Sequence, residues 1–122
     1  MARKGYYAEW IAKHSLMQKY PKEDGYSIWK IAISSEGPDF VVIKEGRIIK
    51  VIEIKSTRNM GFSLMTIFLH GNNKRQLNRM REFAKANNCE AELWLRRGKK
   101  WERASLSRED FYAFKVAMPE KD

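Results

Sequence analysis

The sequence feature that most constrains the fold is a run of β-branched residues near the middle of the chain. Residues 48–55 read Ile-Ile-Lys-Val-Ile-Glu-Ile-Lys. A run this rich in isoleucine and valine is typical of a largely buried central strand. Gly46 lies just before the run and indicates a tight turn into it. The chain is therefore expected to build a sheet around residues 48–55.

The segments on either side of the central strand predict further strands and helices. Apolar residues at helical spacing predict a first helix over residues 5–20, which Pro21 ends. Strand-like alternation and turn signals predict strands over residues 26–33, 39–43, 91–95 and 101–106, with a weaker one over 64–69. A strongly basic helix is predicted over residues 74–88. Ser107 and Asp110 resemble a capping box and indicate a last short helix.

This order of elements predicts one mixed α/β domain over residues 1–122, with a five-stranded mixed sheet flanked by helices. Hydrophobic residues make up 43% of the chain, as in folded globular proteins. No apolar run is long enough to cross a bilayer, and the charged start lacks the apolar stretch of a signal peptide. These features predict a cytoplasmic protein that is not bound to a membrane.

The charge of the chain favours a polyanionic partner. Lysine and arginine number 24 against 15 acidic residues, which gives a net charge of +9. Nucleic acid is the commonest such partner, because neutralising phosphates releases condensed counterions. A solvated basic surface is the alternative interpretation. A single cysteine, Cys89, excludes an internal disulfide and a multi-cysteine zinc site.

The candidate chemistry lies where two predicted strands carry acids. Asp39 follows Pro38 at the start of one strand, and Glu53 and Lys55 share one face of the next because strand side chains alternate. A three-residue turn around Gly46, with Ile43 opposite Ile49, would set Asp39 opposite Glu53. A two-residue turn would place the two acids on different faces. A shared site therefore predicts the longer turn or an equivalent bulge.

Two carboxylates at the end of a strand pair form a hard-oxygen site suited to Mg²⁺, for which Mn²⁺ can substitute. The backbone carbonyl of Ile54 is a further candidate ligand. Lys55 could orient a water molecule or stabilise charge on a phosphate. The alternative is that Glu53 and Lys55 are an ordinary solvent-facing pair on an amphipathic strand.

The residues Pro38-Asp39 followed by Glu53-Ile54-Lys55 resemble the PD-(D/E)XK nuclease superfamily, and nearly the whole chain resembles the archaeal Holliday junction resolvases within it. The resemblance begins at Arg3-Lys4-Gly5 and continues through the basic helix and the hairpin after it. It implies a restriction-endonuclease-like domain that cuts four-way DNA junctions by symmetric paired nicks. A homodimer with two sites follows from that task. One departure is Trp10, which stands where the family usually has an arginine.

The resemblance also extends the site. It implies a metal-binding and catalytic role for Glu9 and a catalytic role for Ser35, although Glu9 near a helix start and Ser35 in a loop also fit ordinary capping roles. Gln76 resembles a glutamine found after the Glu-X-Lys strand in many members. The basic residues expected to contact DNA are Arg3, Lys4, Lys30, Arg58, Lys74, Arg75 and Arg79.

Two other functions remain open from the sequence. One is a nuclease of the same superfamily that acts on nicked, flapped or linear DNA. The other is a non-catalytic nucleic-acid-binding module. The four tryptophans, Trp10, Trp29, Trp94 and Trp101, could stack on bases, but at helix or strand spacing such residues more often lie in a core or an interface.

Overall fold

The fold is taken from a computed structural model, which describes residues 6–31, 38–58, 71–106 and 113–116. The elements in these ranges are α1 (Tyr6–Lys19), a 3-10 turn (Lys22–Asp24), β1 (Tyr26–Lys30), β2 (Phe40–Lys44), β3 (Arg47–Thr57), α2 (Gly71–Asn87), β4 (Glu90–Arg97), β5 (Lys100–Ser105) and β6 (Ala113–Val116).

The described strands form one sheet in the order β1-β2-β3-β4-β5-β6. β3 and β4 run parallel, whereas every other neighbouring pair is antiparallel. The parallel pair requires a crossover, and the connection from β3 to β4 contains α2. The predicted α/β class with a mixed sheet flanked by helices is confirmed.

The strand count differs from the prediction, because the described residues already form a sheet of six strands rather than five. The extra strand is β6, which pairs with β5 at the edge of the sheet. A last helix was expected after Ser107, but the described end of that stretch, Ala113–Val116, is a strand. Four residues are too few to show a strand period in the sequence, and the backbone partner that stabilises them is supplied by β5. The strand predicted at 64–69 and the capping box at Ser107 and Asp110 lie outside the described residues.

The two helices cover opposite faces of the sheet, and β3 contributes to both cores. Val51 packs with Leu77 and Met80 of α2. Ile52 and Ile54 pack with the apolar stripe of α1. From Val51 onward, this alternation places the odd-numbered residues of β3, including Glu53 and Lys55, on the α2 side. Neither described helix is both long and apolar enough to span a membrane.

The turn between β2 and β3 has two residues, Glu45 and Gly46, with φ values of 49° and 80°. Ile43 therefore pairs with Ile48 rather than with Ile49, so the predicted three-residue turn is wrong. Positive φ at both central positions gives a turn whose twist matches that of the strands, which is why the shorter turn forms.

The bulge that was offered as the alternative to that turn is confirmed. The register shifts between Val42 and Ile43, and Val42 pairs with Lys50. Ile49 is thus the extra residue on β3. Beyond the bulge Phe40 pairs with Ile52, and the same register continued by one residue sets Asp39 opposite Glu53. The bulge therefore restores the arrangement that the two acids need.

A buried ion cluster joins three strands on the α1 side of the sheet. Glu92 accepts hydrogen bonds from Lys50 Nζ at 2.9 Å and from the Arg103 guanidinium at 3.1 Å. Trp94 Nε1 donates to the same carboxylate at 2.8 Å. Burial alone would raise the pKa of Glu92, but the charge of Lys50 and these hydrogen bonds lower it below its ordinary value.

Candidate active site

Asp39 is fixed at the start of β2 by backbone and side-chain hydrogen bonds. Its N–H donates to the carbonyl of Ile52 and its carbonyl accepts from the N–H of Ile31, both at 2.9 Å. Its Oδ2 accepts from the N–H of Ile54 at 2.6 Å. The carboxylate is thereby held against the backbone of β3, next to the side chain of Glu53.

Glu53 is a buried acid beside another acid. Its side chain is 5% exposed, and its Oε1 is buried with no donor in the described part of the chain. Burial, followed by the hydrogen bond and the charge of Asp39, raises the pKa of Glu53 to about 8, although Lys55 acts in the opposite direction. A carboxyl group with this pKa is neutral at pH 7, so Glu53 keeps its proton there.

Lys55 links the acid pair to α2. Its Nζ lies 3.2 Å from Glu53 Oε2 and donates a hydrogen bond to Gln76 Oε1 at 3.3 Å. Gln76 is only 8% exposed, so it is not the surface amide that its polarity alone would suggest. Its contact with Lys55 joins the helix to the end of β3 that carries the acids.

The donor set of this site fits a divalent cation. Oxygen atoms of two carboxylates converge, and Glu53 Oε1 is buried with no hydrogen-bond partner among the described residues. Hard cations such as Mg²⁺ and Mn²⁺ prefer such oxygen ligands. A bound cation would replace the proton of Glu53 and be held by the same oxygen atoms. Ile54 contributes its N–H to Asp39 here, and the role of its carbonyl as a ligand stays a prediction.

Glu9 is not brought to the acid pair. Its Oε2 lies 2.5 Å from Lys30 Nζ, and Lys30 pairs with Phe40, whose side chain packs on the α1 side. Within residues 6–31, 38–58, 71–106 and 113–116, no group of three or more histidine, cysteine or acidic side chains could hold a metal ion. The role predicted for Glu9 in metal binding stays a prediction.

Four of the remaining basic candidates lie in described segments next to the residues of the candidate site. Arg58 directly follows β3, and Lys74, Arg75 and Arg79 are exposed on the first turns of α2, close in sequence to Gln76. Their contacts with DNA stay predictions. Arg3, Lys4 and Ser35 lie outside the described residues.

The tryptophans divide into two groups. Trp94 and Trp101 are buried and meet edge to face at 6.4 Å between ring centroids, as expected for core residues. Trp10 and Trp29 are exposed instead. For Trp10 the signal was present in the sequence, because its position falls outside the helical stripe of Ala8, Ile11, Ala12 and Leu16.

Comparison with known proteins finds likeness only at the level of solved structures. No protein-family model and no curated protein matches the chain. Among solved structures, the chain is similar to the Holliday junction resolvase Hjc from the archaeal hyperthermophile Archaeoglobus fulgidus. The two are 16% identical, the similarity covers 84% of each chain, and the TM-score is 0.44. At that distance, function has to be inferred from the side chains of the site.

The acid pair predicts that this protein loses stability as the pH rises. An unfolded Glu53 releases its proton near its ordinary value of 4.5, whereas the folded group holds it to about pH 8. The folded state therefore binds more protons between these values, and the free energy of unfolding falls as the pH rises through them. Glu53→Gln keeps a neutral side chain at every pH. In EDTA, we expect it to be more stable than the parent by about 2 kcal/mol at pH 9 and to differ little at pH 4.5.

Denaturant unfolding at the two pH values measures this difference. Glu82→Gln is the matched control, because Glu82 is an exposed acid on α2 and its loss should change stability little at either pH. An equal effect of both substitutions, or a gain for Glu53→Gln that does not depend on pH, would contradict a buried Glu53 that holds its proton to about pH 8.

Proposed function

We propose that this protein is a metal-dependent DNA endonuclease that hydrolyses phosphodiester bonds and prefers four-way junctions. The observation that carries the proposal is the convergence of Asp39, Glu53 and Lys55 at one end of the central strands. The motif resemblance in the sequence supports nuclease chemistry. The net charge of +9 supports a DNA substrate.

Each member of the site has a distinct part in this proposal. Asp39 and Glu53 would hold Mg²⁺ or Mn²⁺, with the carbonyl of Ile54 as a third ligand. Glu9 would have to leave Lys30 to become a fourth. The cation, when bound, would supply a Lewis acid that lowers the pKa of water and offsets charge on the phosphate. Glu53 must first give up its proton, which makes the site more competent as the pH rises.

Lys55 acts next to the reacting phosphate in this proposal. Its ammonium orients the attacking water or stabilises the negative charge that develops on the phosphate. Gln76 accepts a hydrogen bond from Lys55 Nζ and so restricts where the ammonium can point. Gln76 is thus a positioning residue. Ser35 is a further catalytic candidate, on the basis of the resemblance alone.

The proposed phosphate contacts are the basic residues chosen from the sequence: Arg3, Lys4, Lys30, Arg58, Lys74, Arg75 and Arg79. Phosphate contacts position DNA without reading its sequence, so this pattern favours cleavage that depends on DNA structure. Paired nicks across a junction require two sites related by two-fold symmetry. A homodimer meets that requirement.

Cleavage should depend on the acid pair, whereas DNA binding should not. Asp39→Asn keeps an oxygen that can accept from the Ile54 N–H, and Glu53→Gln keeps the shape of the buried side chain, so both variants should fold. We expect each to lower the rate of cleavage of a labelled junction in Mg²⁺ by about 100-fold or more. Fluorescence anisotropy in EDTA should show DNA affinity within about threefold of the parent. Glu82→Gln is the control and should cut normally.

A specific observation favours one rival function, a non-catalytic nucleic-acid-binding module. The described residues bring together only two acids, and one of them, Glu53, keeps its proton at neutral pH in the absence of a metal. If the parent protein binds DNA but leaves it intact in both Mg²⁺ and Mn²⁺, the binding module is correct and the nuclease proposal fails.

Junction preference is separable from cleavage. A four-way junction and a linear duplex that carry the same sequences and different labels can compete for limiting protein at matched salt, since salt alone changes affinity. We expect faster cleavage of the junction. Equal rates would leave the nuclease and remove the resolvase assignment, in favour of an enzyme that acts on nicked, flapped or linear DNA.

A further inference from the structure

The outer face of α1 carries a row of exposed aromatic rings that the proposed cleavage does not use. We call Tyr7, Trp10 and His14 the aromatic row. They follow one another at spacings of three and four residues and so share one side of the helix. The opposite side of α1 is the buried stripe that packs on the sheet. Tyr7 is 51% exposed and Trp10 is 48% exposed.

The rings of the aromatic row are held in a fixed arrangement. The planes of Tyr7 and Trp10 are within 9° of parallel, with ring centroids 6.1 Å apart. The ring centroids of His14 and Trp10 are 4.1 Å apart, and the two ring planes are tilted by 41°. His14 Nδ1 donates a hydrogen bond to the carbonyl of Trp10 at 2.9 Å. Because these contacts restrict the side chains before any ligand arrives, little conformational entropy remains to be lost on binding.

Positive charge borders the aromatic row. The Arg96 guanidinium lies 5.2 Å from the centre of the Tyr7 ring, and Lys13 is exposed on the neighbouring position of the helix. The nearby acid Glu9 is already paired with Lys30. Two copies of this face would bring like charges together, whereas a polyanion with aromatic groups would meet attraction at both kinds of side chain.

The aromatic row begins near the carboxyl end of the central strands β3 and β4, where the candidate active site lies. Arg96, beside Tyr7, pairs across the parallel strands with Ser56, which directly follows Lys55. From there the row extends about 10 Å along α1, on the opposite side of the sheet from Glu53. A DNA strand that leaves the active site around this end of β3 and β4 would meet Tyr7 first.

We propose that the aromatic row is a stacking platform for unpaired DNA bases, with Lys13 and Arg96 contacting the adjacent phosphates. The platform rests on the proposed function only in taking DNA as the polymer, and it does not require cleavage. Flat rings accept any base, because every base has a π face, so recognition would depend on whether bases are unpaired and not on their sequence.

The test measures binding in EDTA, where cleavage plays no part. The probes are a labelled 12-nucleotide single strand of mixed sequence and a strand of equal length with abasic sites throughout its centre. Trp10→Ala should weaken binding of the first probe by about tenfold, which is the loss of one stacked base, and leave binding of the abasic probe unchanged. Trp10→Phe should recover most of the affinity. Trp29→Ala is the matched control, because Trp29 is also exposed but pairs with Val41 of the α2-side core.

Three results would overturn the platform. The first is equal weakening of both probes by Trp10→Ala, which would indicate a general loss of binding. The second is an effect of Trp29→Ala as large as that of Trp10→Ala. The third is single-strand affinity that Trp10→Ala leaves unchanged. If light scattering then shows a fall in oligomeric state as well, the aromatic row is a contact between copies. If the parent protein cuts no DNA but binds the single strand in a way that depends on Trp10, only the nuclease proposal fails.

Discussion

The register between β2 and β3 is the constraint on which the candidate site depends. Strand side chains alternate between faces, so a shift of one residue would move Glu53 and Lys55 away from Asp39 and into the core beneath α1. The tight turn at Glu45 and Gly46 alone gives the wrong register. The bulge at Ile49 corrects it within two residues. Bulges often occur beside active sites, where they redirect side chains in this way.

Two buried glutamates in the same sheet show what the register achieves. Glu92 faces α1 among two cations and an indole N–H, and its pKa is lowered. Glu53 faces α2 beside another acid and a single lysine, and its pKa is raised to about 8. The surroundings of Glu92 stabilise its charged carboxylate and so stabilise the fold. Those of Glu53 leave a carboxylate whose charged form is unfavourable until a cation arrives, and such groups cluster at functional sites.

Much of this arrangement could be predicted from the sequence, because it follows from local patterns. The run of isoleucine and valine predicted β3, and the alternation of strand side chains predicted that Glu53 and Lys55 share one face of it. The length of the turn could not be predicted, since Glu-Gly-Arg permits both two- and three-residue loops and only the pairing of whole strands selects between them. The strand β6 is stabilised by its partner and not by its own four residues. Similarly, the burial of Gln76 depends on how α2 packs across β3, which no local pattern encodes.

The candidate site depends on a divalent cation that binds beside Asp39 and displaces the proton of Glu53. Calorimetric titration of Mn²⁺ into the protein at pH 7, repeated in two buffers of different ionisation enthalpy, measures the affinity and the protons released together. We expect one ion per chain, release of about one proton per ion, and loss of binding in Asp39→Asn and Glu53→Gln. Equal Mn²⁺ affinity in the parent and both variants, or binding with no proton release, would contradict it.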